Sequence, residues 1–523
     1  WASGADSVRA GFHVSAAARN VSAVPEEMPE HHARHQGEQR MMASDLARIL
    51  PGATTKGPDR QWKTLKVDST RVEAMDAFIA LRGSITDGHK FIIDALNRGA
   101  SLIICNAGHT IENIDAAVLS VPDTKAALRT ILPFLYPKAL EVRMVGITGT
   151  NGKTTTAYLI ESVLSNAGIS CGVMGTINTR YPGKEITSSL TTPGPVDLFD
   201  MLHQMRLAGV HACIMEVSSH ALDQDRVAGL RFDYALFTNL TQDHLDYHKD
   251  METYFLAKKR LFEGYLTGDA ILNIDDPYGV RLADGLSGAI TYGFSKNALI
   301  HPLSLDNNPH GLTLNIATPL GESIIRSKLK GEMNAYNIMA ALGVCHAMGI
   351  PIEKIRKGIE ALDGVPGRME SVENTKGLSI FVDYAHTPDA LDTVLKNARK
   401  FTKGRLLTVF GCGGDRDRTK RPIMGAIASG LADLAIITSD NPRTEDPLLI
   451  IEDIVKGITD KTRILLEPDR ETAICQAIRT MAPDDCLVIA GKGHEDYQII
   501  GTTKIAFDDR VCIRQCLKEV YGQ

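Results

Sequence analysis

The stretch that most constrains this 523-residue chain is Val145-Gly146-Ile147-Thr148-Gly149-Thr150-Asn151-Gly152-Lys153-Thr154-Thr155-Thr156. An apolar run ends in a glycine-rich turn, and Lys and Thr follow at the start of a helix-like segment. Strand, glycine turn and helix in that order imply a parallel sheet with helices on its faces. Backbone N–H groups of such a turn can cradle a phosphate, aided by the positive end of the helix dipole. Lys153 would reach the β and γ phosphates of a nucleotide, and Thr154 would hold magnesium. The strict G-x-x-x-x-G-K-[ST] spacing fails, because Ile147 stands where the first glycine belongs. The bland alternative is an ordinary strand–helix turn, and Gly-Lys-Thr-Thr at the helix start speaks against it. Phosphate binding alone does not separate a motor, a switch, a kinase and a ligase.

The rest of the pattern extends the α/β theme. Leu102-Ile103-Ile104-Cys105, Ala212-Cys213-Ile214-Met215 and Tyr234-Ala235-Leu236-Phe237 are continuous apolar runs of the parallel-sheet type. A helix over 334–348 carries Ile338, Ala341, Leu342 and Cys345 on one face, and Gly364-Val365-Pro366-Gly367 resembles a linker. Strands and helices alternate again beyond it. The expected architecture is three α/β domains: 45–138, a central phosphate-loop ATPase domain at 139–364, and a doubly wound, Rossmann-like domain at 365–523. Ser44-Asp45 are expected to cap a helix through Leu50. Residues 1–44 are set aside as an extension outside the fold, since 1–40 show little periodicity. A transit peptide is the other reading, because Arg9 and Arg19 share that stretch with a single acid, Asp6, before Glu26.

Composition narrows the classes. Lys and Arg total 57 against 63 Asp and Glu, a net charge of -6, which argues against bulk nucleic-acid binding. No apolar run reaches the 18 or so residues of a membrane span. The nine cysteines form no CxxC pair. Cys105, Cys171, Cys213 and Cys345 sit among apolar neighbours, so a reducing compartment is expected rather than a disulfide framework.

Gly149-Thr150-Asn151-Gly152-Lys153-Thr154-Thr155 is similar to the signature of the Mur ligases, which build the peptidoglycan peptide one residue at a time. Seven further segments agree in order and spacing. They are Thr191-Thr192-Pro193, Glu216-Val217-Ser218-Ser219-His220, and the run from Asn239 to His248 containing Asp243-His244-Leu245-Asp246. Asp383-Tyr384-Ala385-His386-Thr387-Pro388, Gly411-Cys412-Gly413-Gly414-Asp415-Arg416-Asp417, Asp440-Asn441-Pro442-Arg443 and Gly491-Lys492-Gly493-His494-Glu495 complete the set. The resemblance covers about residues 45–520.

The resemblance implies a cytoplasmic, ATP- and Mg2+-dependent ligase acting on a UDP-linked muramoyl dipeptide. Lys153, Glu216, His244 and Lys258 would be catalytic, with Thr154, Glu216, His244 and a carbamylated Lys258 around magnesium. Asn334 and Asn337 would lie near the adenine. Arg368, Asp383, Tyr384 and His386 would complete the ATP site. Ser69, Thr191, Thr192, Ser218, Gln224 and Arg226 would hold the muramoyl peptide. Each residue alone has a plainer reading. Glu216 could cap a helix, His244 could be a core hydrogen-bonder, and Lys258 could be a solvated helix lysine beside Lys259 and Arg260. Arg226 could pair with Asp223 or Asp225. Asp68-Ser69-Thr70-Arg71 carries one residue more than the family's Asp-Ser-Arg.

Asp440-Asn441-Pro442-Arg443 bears on the amino acid that is added. Diaminopimelate has a distal carboxylate that lysine lacks, so its site needs a fixed cation. Arg443 offers a planar fork, Arg416 a second cation, and Glu495 an anion for the distal ammonium. The resemblance also puts Asp440, Asn441, Pro442 and Gly491 in this pocket. As a plain dipeptide, Asn-Pro is a turn. Two other classes compete. One is another member of the superfamily, such as folylpolyglutamate synthase, against which Asp-Asn-Pro-Arg and Gly-Lys-Gly-His-Glu both speak. The other is a non-enzymatic plastid scaffold, supported by residues 1–40 alone. A chain lacking residues 1–40 is expected to release phosphate at the full-length rate. A large loss with intact folding would make the segment part of the machine.

Overall fold

The run before the glycine turn forms the strand Arg143–Thr148, fifth of eight in the central sheet of the computed structural model. The structure describes residues 41–522 apart from 84–85, 110, 112–114, 189 and 309–310. The truncation test above therefore concerns residues outside those described. In sheet order the strands are Lys184–Thr187, Asn178–Tyr181, Cys171–Met174, Ala212–Glu216, Arg143–Thr148, Phe232–Phe237, Leu266–Asn273 and Ile290–Tyr292. From Cys171–Met174 onward every neighbouring pair is parallel. Alternate residues of these strands feed two cores. Met144, Cys213, Met215, Ala235 and Phe237 join one, while Val145, Ile147, Ile214 and Leu236 join the other. Burial on both faces is why these strands are apolar throughout. Gly146 interrupts the run because a Cβ there would come within 2.7 Å of the Phe232 ring.

The N-terminal sheet has five strands in the order Thr54–Lys56, Ala117–Val121, Leu102–Asn106, Ala77–Ile79 and Leu65–Lys66. All pairs are parallel except the one made by the edge strand Thr54–Lys56. Its inner face shares one continuous core with the central sheet, from Ala43 to Leu282. The expected boundary after residue 44 moves to Met41. Met41–Met42 pairs with Gln61–Trp62, and the Ala43 N–H bonds the Arg60 carbonyl at 3.0 Å. Burial of Ala43 and Trp62 holds this short ladder in place. The helix begins at Ala43 rather than after Ser44. Asp45 does not cap it from outside but reaches back from its third position to accept the Met42 N–H at 2.9 Å.

The helix Met333–Ala347 is buried nearly all round, not on one face as expected. It is wedged between the central sheet and the helices Lys153–Asn166 and Ile352–Ala361, so it has almost no solvent side. The C-terminal sheet matches the doubly wound expectation. Its order is Glu370–Ser371, Ser379–Asp383, Cys486–Ala490, Leu406–Phe410, Leu434–Ile437 and Ile464–Leu466, all parallel beyond the first pair. Two separate cores cover its faces.

The cysteines depart from expectation at one point. Cys105, Cys171, Cys213 and Cys345 are buried free thiols, but Cys475 and Cys516 form a disulfide. The helices Arg470–Thr480 and Asp509–Tyr521 pack side by side and bring the two Cα atoms to 5.4 Å across 41 residues of sequence. That proximity is a tertiary fact with no spacing signature. No described helix is long and apolar enough to cross a membrane.

One buried ion pair organises the C-terminal sheet. Arg470 donates to both Asp509 carboxylate oxygens at 2.8 Å, and to the carbonyls of Ser439 at 3.3 Å and Ala490 at 3.1 Å. Neither side chain is exposed. Ser439 and Ala490 immediately precede Asp440-Asn441-Pro442-Arg443 and Gly491-Lys492-Gly493-His494-Glu495, so one guanidinium ties the roots of both loops together. Asp509→Ala strands that guanidinium without a counterion. Urea unfolding is expected to lose about 3–5 kcal/mol of stability, and an unchanged midpoint would show that the pair bears no structural role.

Candidate active site

The glycine turn is built as its residue types require. Gly149 and Gly152 have φ of 145° and 85°, and a Cβ on Gly149 would lie 1.9 Å from Thr238 Oγ1. Lys153 opens the helix, and its ammonium folds back onto the carbonyls of Gly149 at 2.9 Å and Thr150 at 2.8 Å. Lys258, itself buried, donates to the same Gly149 carbonyl at 2.8 Å. Burial and the neighbouring Lys153 hold the Lys258 amine well below the usual lysine range. Lys153 is also lowered, chiefly by burial, with Glu216 and Asp243 opposing the effect.

Glu216 ends the strand next to the turn and is almost fully buried. Its carboxylate accepts from Thr154 Oγ1 at 3.0 Å, Thr176 Oγ1 at 2.9 Å and the Thr176 N–H at 3.0 Å. It caps no helix. Arg368 crosses from the C-terminal side to donate to Thr154 Oγ1 at 3.2 Å, and its guanidinium lies 4.9 Å from the Tyr384 ring centre. Asn334 and Asn337 hydrogen-bond each other at 2.9 Å, and Thr156 Oγ1 donates to Asn337 Oδ1 at 3.3 Å. That pair therefore does touch the helix beginning at Lys153. A Cβ on Gly152 would meet Asn337 Oδ1 at 2.4 Å.

His244 has a left-handed backbone, φ 54°, and its Nε2 lies 3.3 Å from Asp243 Oδ2. Burial lowers its imidazole to about 4, against the pull of Asp243. Burial pushes the Asp243 carboxyl up, but His244, His386 and Lys153 outweigh it and leave the group below its usual range. Among the described residues no three His, Cys, Asp or Glu side chains converge as a metal-binding group. Of the expected magnesium set only Thr154 and Glu216 are in direct contact. Their hydroxyl and carboxylate are hard oxygen donors, which suits an ion that takes one or two protein oxygens and otherwise keeps water and phosphate.

Of the residues expected to hold a muramoyl peptide, Thr191, Thr192, Ser218, Gln224 and Arg226 gather beside Glu216. Thr192 Oγ1 donates to the Glu216 carbonyl at 2.8 Å and accepts from the Ser218 N–H at 3.1 Å. Arg226 donates to Gln224 Oε1 at 2.6 and 3.0 Å and to the Thr192 carbonyl at 3.1 Å. It pairs with neither Asp223 nor Asp225. Thr191 and Thr176 hydroxyls lie 3.2 Å apart. Ser69 is buried in a short turn, and its hydroxyl helps lower the Asp94 carboxyl. The neighbouring Arg71 reaches Asp197 as a fork at 2.8 and 3.1 Å. Asp68 caps that turn, its carboxylate accepting the Thr70 N–H at 2.9 Å.

A cavity of about 460 Å³ opens between the His244 loop and the carboxyl ends of the C-terminal strands. Ligands bind in doubly wound sheets at this edge. His244, His386, Arg416, Asp440, Asn441, Arg443, Gly491 and Glu495 all line it. Pro442 does not; its carbonyl packs against Gly414. Arg443 has φ 52°. Its N–H bonds the Ile499 carbonyl at 3.0 Å, its carbonyl accepts from Gly501 at 2.7 Å, and Nη1 donates to the Gly414 carbonyl at 2.8 Å. Strained backbone held so firmly is typical of functional positions.

Asp383 is different in kind. Its carboxylate accepts the N–H groups of Met369 at 2.7 Å and Ala385 at 2.8 Å, so it shapes the loop carrying Arg368 and His386. Sequence reasoning missed His220, Gln242, Asp243 and Lys420, which also line the cavity. Asp243 was within reach, as the neighbour of His244 in a matched segment. Asp389 had no such signal: its Oδ2 accepts from Asn151 Nδ2 at 2.9 Å and Thr241 Oγ1 at 3.0 Å, joining the C-terminal side to the glycine turn.

Three family models match in succession: Mur ligase family, catalytic domain, at residues 62–144; Mur ligase middle domain at 147–345; and Mur ligase, glutamate ligase domain, at 367–493. The chain is similar to the UDP-N-acetylmuramoyl-L-alanyl-D-glutamate–2,6-diaminopimelate ligase of Thermosynechococcus vestitus, with 46% identity over 90% of this chain and 96% of that one. The enzyme of the same name from Geobacter metallireducens is 43% identical, covering 92% and 99%. A solved structure of a ligase of that name superposes with a TM-score of 0.65 at 33% identity, covering 92% of this chain and 99% of the other.

Asp389→Ala removes the acceptor shared by Asn151 and Thr241. Hydrogen exchange in the glycine turn is expected to quicken about ten-fold, the effect of losing one or two net hydrogen bonds. Unchanged exchange in the folded variant would show that the contact does not hold the turn.

Proposed function

The chain belongs to the Mur ligase family, and we propose that its cavity selects meso-diaminopimelate for addition to UDP-N-acetylmuramoyl-L-alanyl-D-glutamate. It is an ATP-dependent ligase of peptidoglycan synthesis. The γ-phosphoryl group of ATP passes to the D-glutamate side-chain carboxylate, giving an acyl phosphate and ADP. The neutral amine of the amino acid then attacks the acyl carbon. The C–O bond to phosphate breaks, an amide forms, and phosphate and a proton leave.

The observation that carries the acceptor assignment is the pairing of charges in one cavity. Arg443 and Arg416 offer cations and Glu495 an anion on the same wall. A ligand end bearing both a carboxylate and an ammonium answers that pattern; the side chain of lysine answers half of it. We assign the phosphates of ATP to the turn Gly149–Thr155, with Lys153 swinging off its carbonyls to meet them. Arg368 and His386 approach from the C-terminal side, and Asn334 and Asn337 lie towards the base. Thr191, Thr192, Ser218, Gln224 and Arg226 present the muramoyl peptide to the turn, and Ser69 lies towards the uridine end.

Thr154 and Glu216 would hold Mg2+, which supplies charge neutralisation for the phosphates. His244 and a carbamate on Lys258 belong to the same assignment. Support for the carbamate is the burial of Lys258, which favours the neutral amine that can attack carbon dioxide to give R–NH–COO⁻ and a proton. We take 41–138, 139–364 and 365–523 as three domains around this site. The reaction is placed in the cytoplasm, where ATP is supplied.

Phosphate release with the UDP dipeptide and either meso-diaminopimelate or L-lysine tests the reading. Wild type is expected to use diaminopimelate and to use lysine poorly. Arg443→Ala should lose about ten- to a hundred-fold in kcat/KM for diaminopimelate, the worth of a charge-assisted hydrogen bond. Its lysine turnover and KM for ATP should barely change. A wild type that prefers lysine would refute the acceptor assignment.

A further inference from the structure

Lys492 lies beneath the wall of the acceptor cavity with no exposed side-chain surface. Its ammonium donates to Glu495 Oε2 at 2.9 Å and to Asn441 Oδ1 at 3.4 Å. Asn441 Nδ2 donates to the same Glu495 oxygen at 2.9 Å, and Asn441 Oδ1 also accepts the Ile499 N–H at 2.9 Å. The Tyr497 ring centre stands 5.4 Å from the ammonium and helps compensate its lost hydration. Both hydrogen-bond partners of this buried cation are cavity residues.

We propose that Lys492 is a positioning residue that sets acceptor specificity by fixing the Glu495 carboxylate, an inference that rests on reading the cavity as the diaminopimelate site. Two inward donors converge on Glu495 Oε2, while no described residue donates to Oε1. The carboxylate is thereby held in one rotamer with a single oxygen turned to the ligand. An oxygen so presented selects an ammonium. Asn441 alone would leave the carboxylate free to rotate, because one donor does not fix a flexible side chain of that length. Lys492 also holds Asn441, so both anchors of this wall share one cation. Isolated buried ammonium groups are costly, and among the described residues the charge is compensated through Glu495, Asn441 and the ring.

Steady-state kinetics of the full chain test this. Lys492→Met, of similar length, is expected to raise KM for meso-diaminopimelate at least about ten-fold while KM for ATP stays within about two-fold. Lys492→Gln keeps a donor and should recover part of the loss; it also carries the test if the Met variant fails to fold. In a Glu495→Gln background, Lys492→Met should add little, because the two residues act as a unit. Equal rises in KM for ATP and diaminopimelate, or strictly additive effects, would overturn the proposal. Wild type that turns over diaminopimelate beside an unaffected Lys492→Met and Lys492→Gln overturns this inference alone. Wild type with no diaminopimelate turnover overturns the functional reading and this inference with it.

Discussion

Two lysine amines, the buried Lys258 and the half-buried Lys153, donate to one backbone carbonyl, that of Gly149, and much of the active site is arranged around that crowding. Among the described residues neither amine has a carboxylate in direct contact; burial lowers the proton affinity of both, and Lys153 lowers that of Lys258 further. Such a place is short of negative charge by construction. The nearest acids, Glu216 and Asp243, hang back, engaged with Thr154 and Thr176 in one case and His244 in the other. A polyphosphate is the natural complement. The glycines matter because only residues without a Cβ allow the turn to pass Thr238 and Asn337 closely enough to present that carbonyl.

Much of this was legible in the chain. The turn announces itself through residue types that few other structures require, and the continuous apolar runs mark strands covered on both faces. The residues assigned to the acceptor came from the resemblance; strand ends in a doubly wound sheet gather their loops at one edge, so Arg416, Arg443 and Glu495 line one cavity although nearly eighty residues separate the first from the last. What stayed hidden was set by contacts between elements. Asp389 looks like an ordinary first-turn helix acid until its partners in the central sheet are seen. Lys492 looks like a second phosphate lysine between two glycines, and its inward course depends on Asn441 in another loop. The Cys475–Cys516 bridge and the all-round burial of Met333–Ala347 likewise follow from packing that no local periodicity encodes. Of the residues expected around magnesium, Thr154 followed from the glycine turn and Glu216, His244 and Lys258 from resemblance alone; among the described residues they do not converge as a cluster.

The two junctions within the molecule differ in material. The N-terminal and central sheets share an unbroken apolar core. The junction with the C-terminal sheet has Met333 against the C-terminal core but is stitched mainly by polar pairs: Asn151 and Thr241 with Asp389, Arg368 with Thr154, and Asn397 with the Glu332 N–H. Separating apolar surfaces exposes oil to water, whereas polar pairs exchange their partners for water at little net loss. The molecule therefore has one weld and one clasp. A bulky UDP-linked product and spent nucleotide must leave within each turnover, and of the two junctions the clasp is the one whose contacts water can replace at the smaller cost. Substitutions that grease the clasp with apolar side chains would trade turnover for tightness.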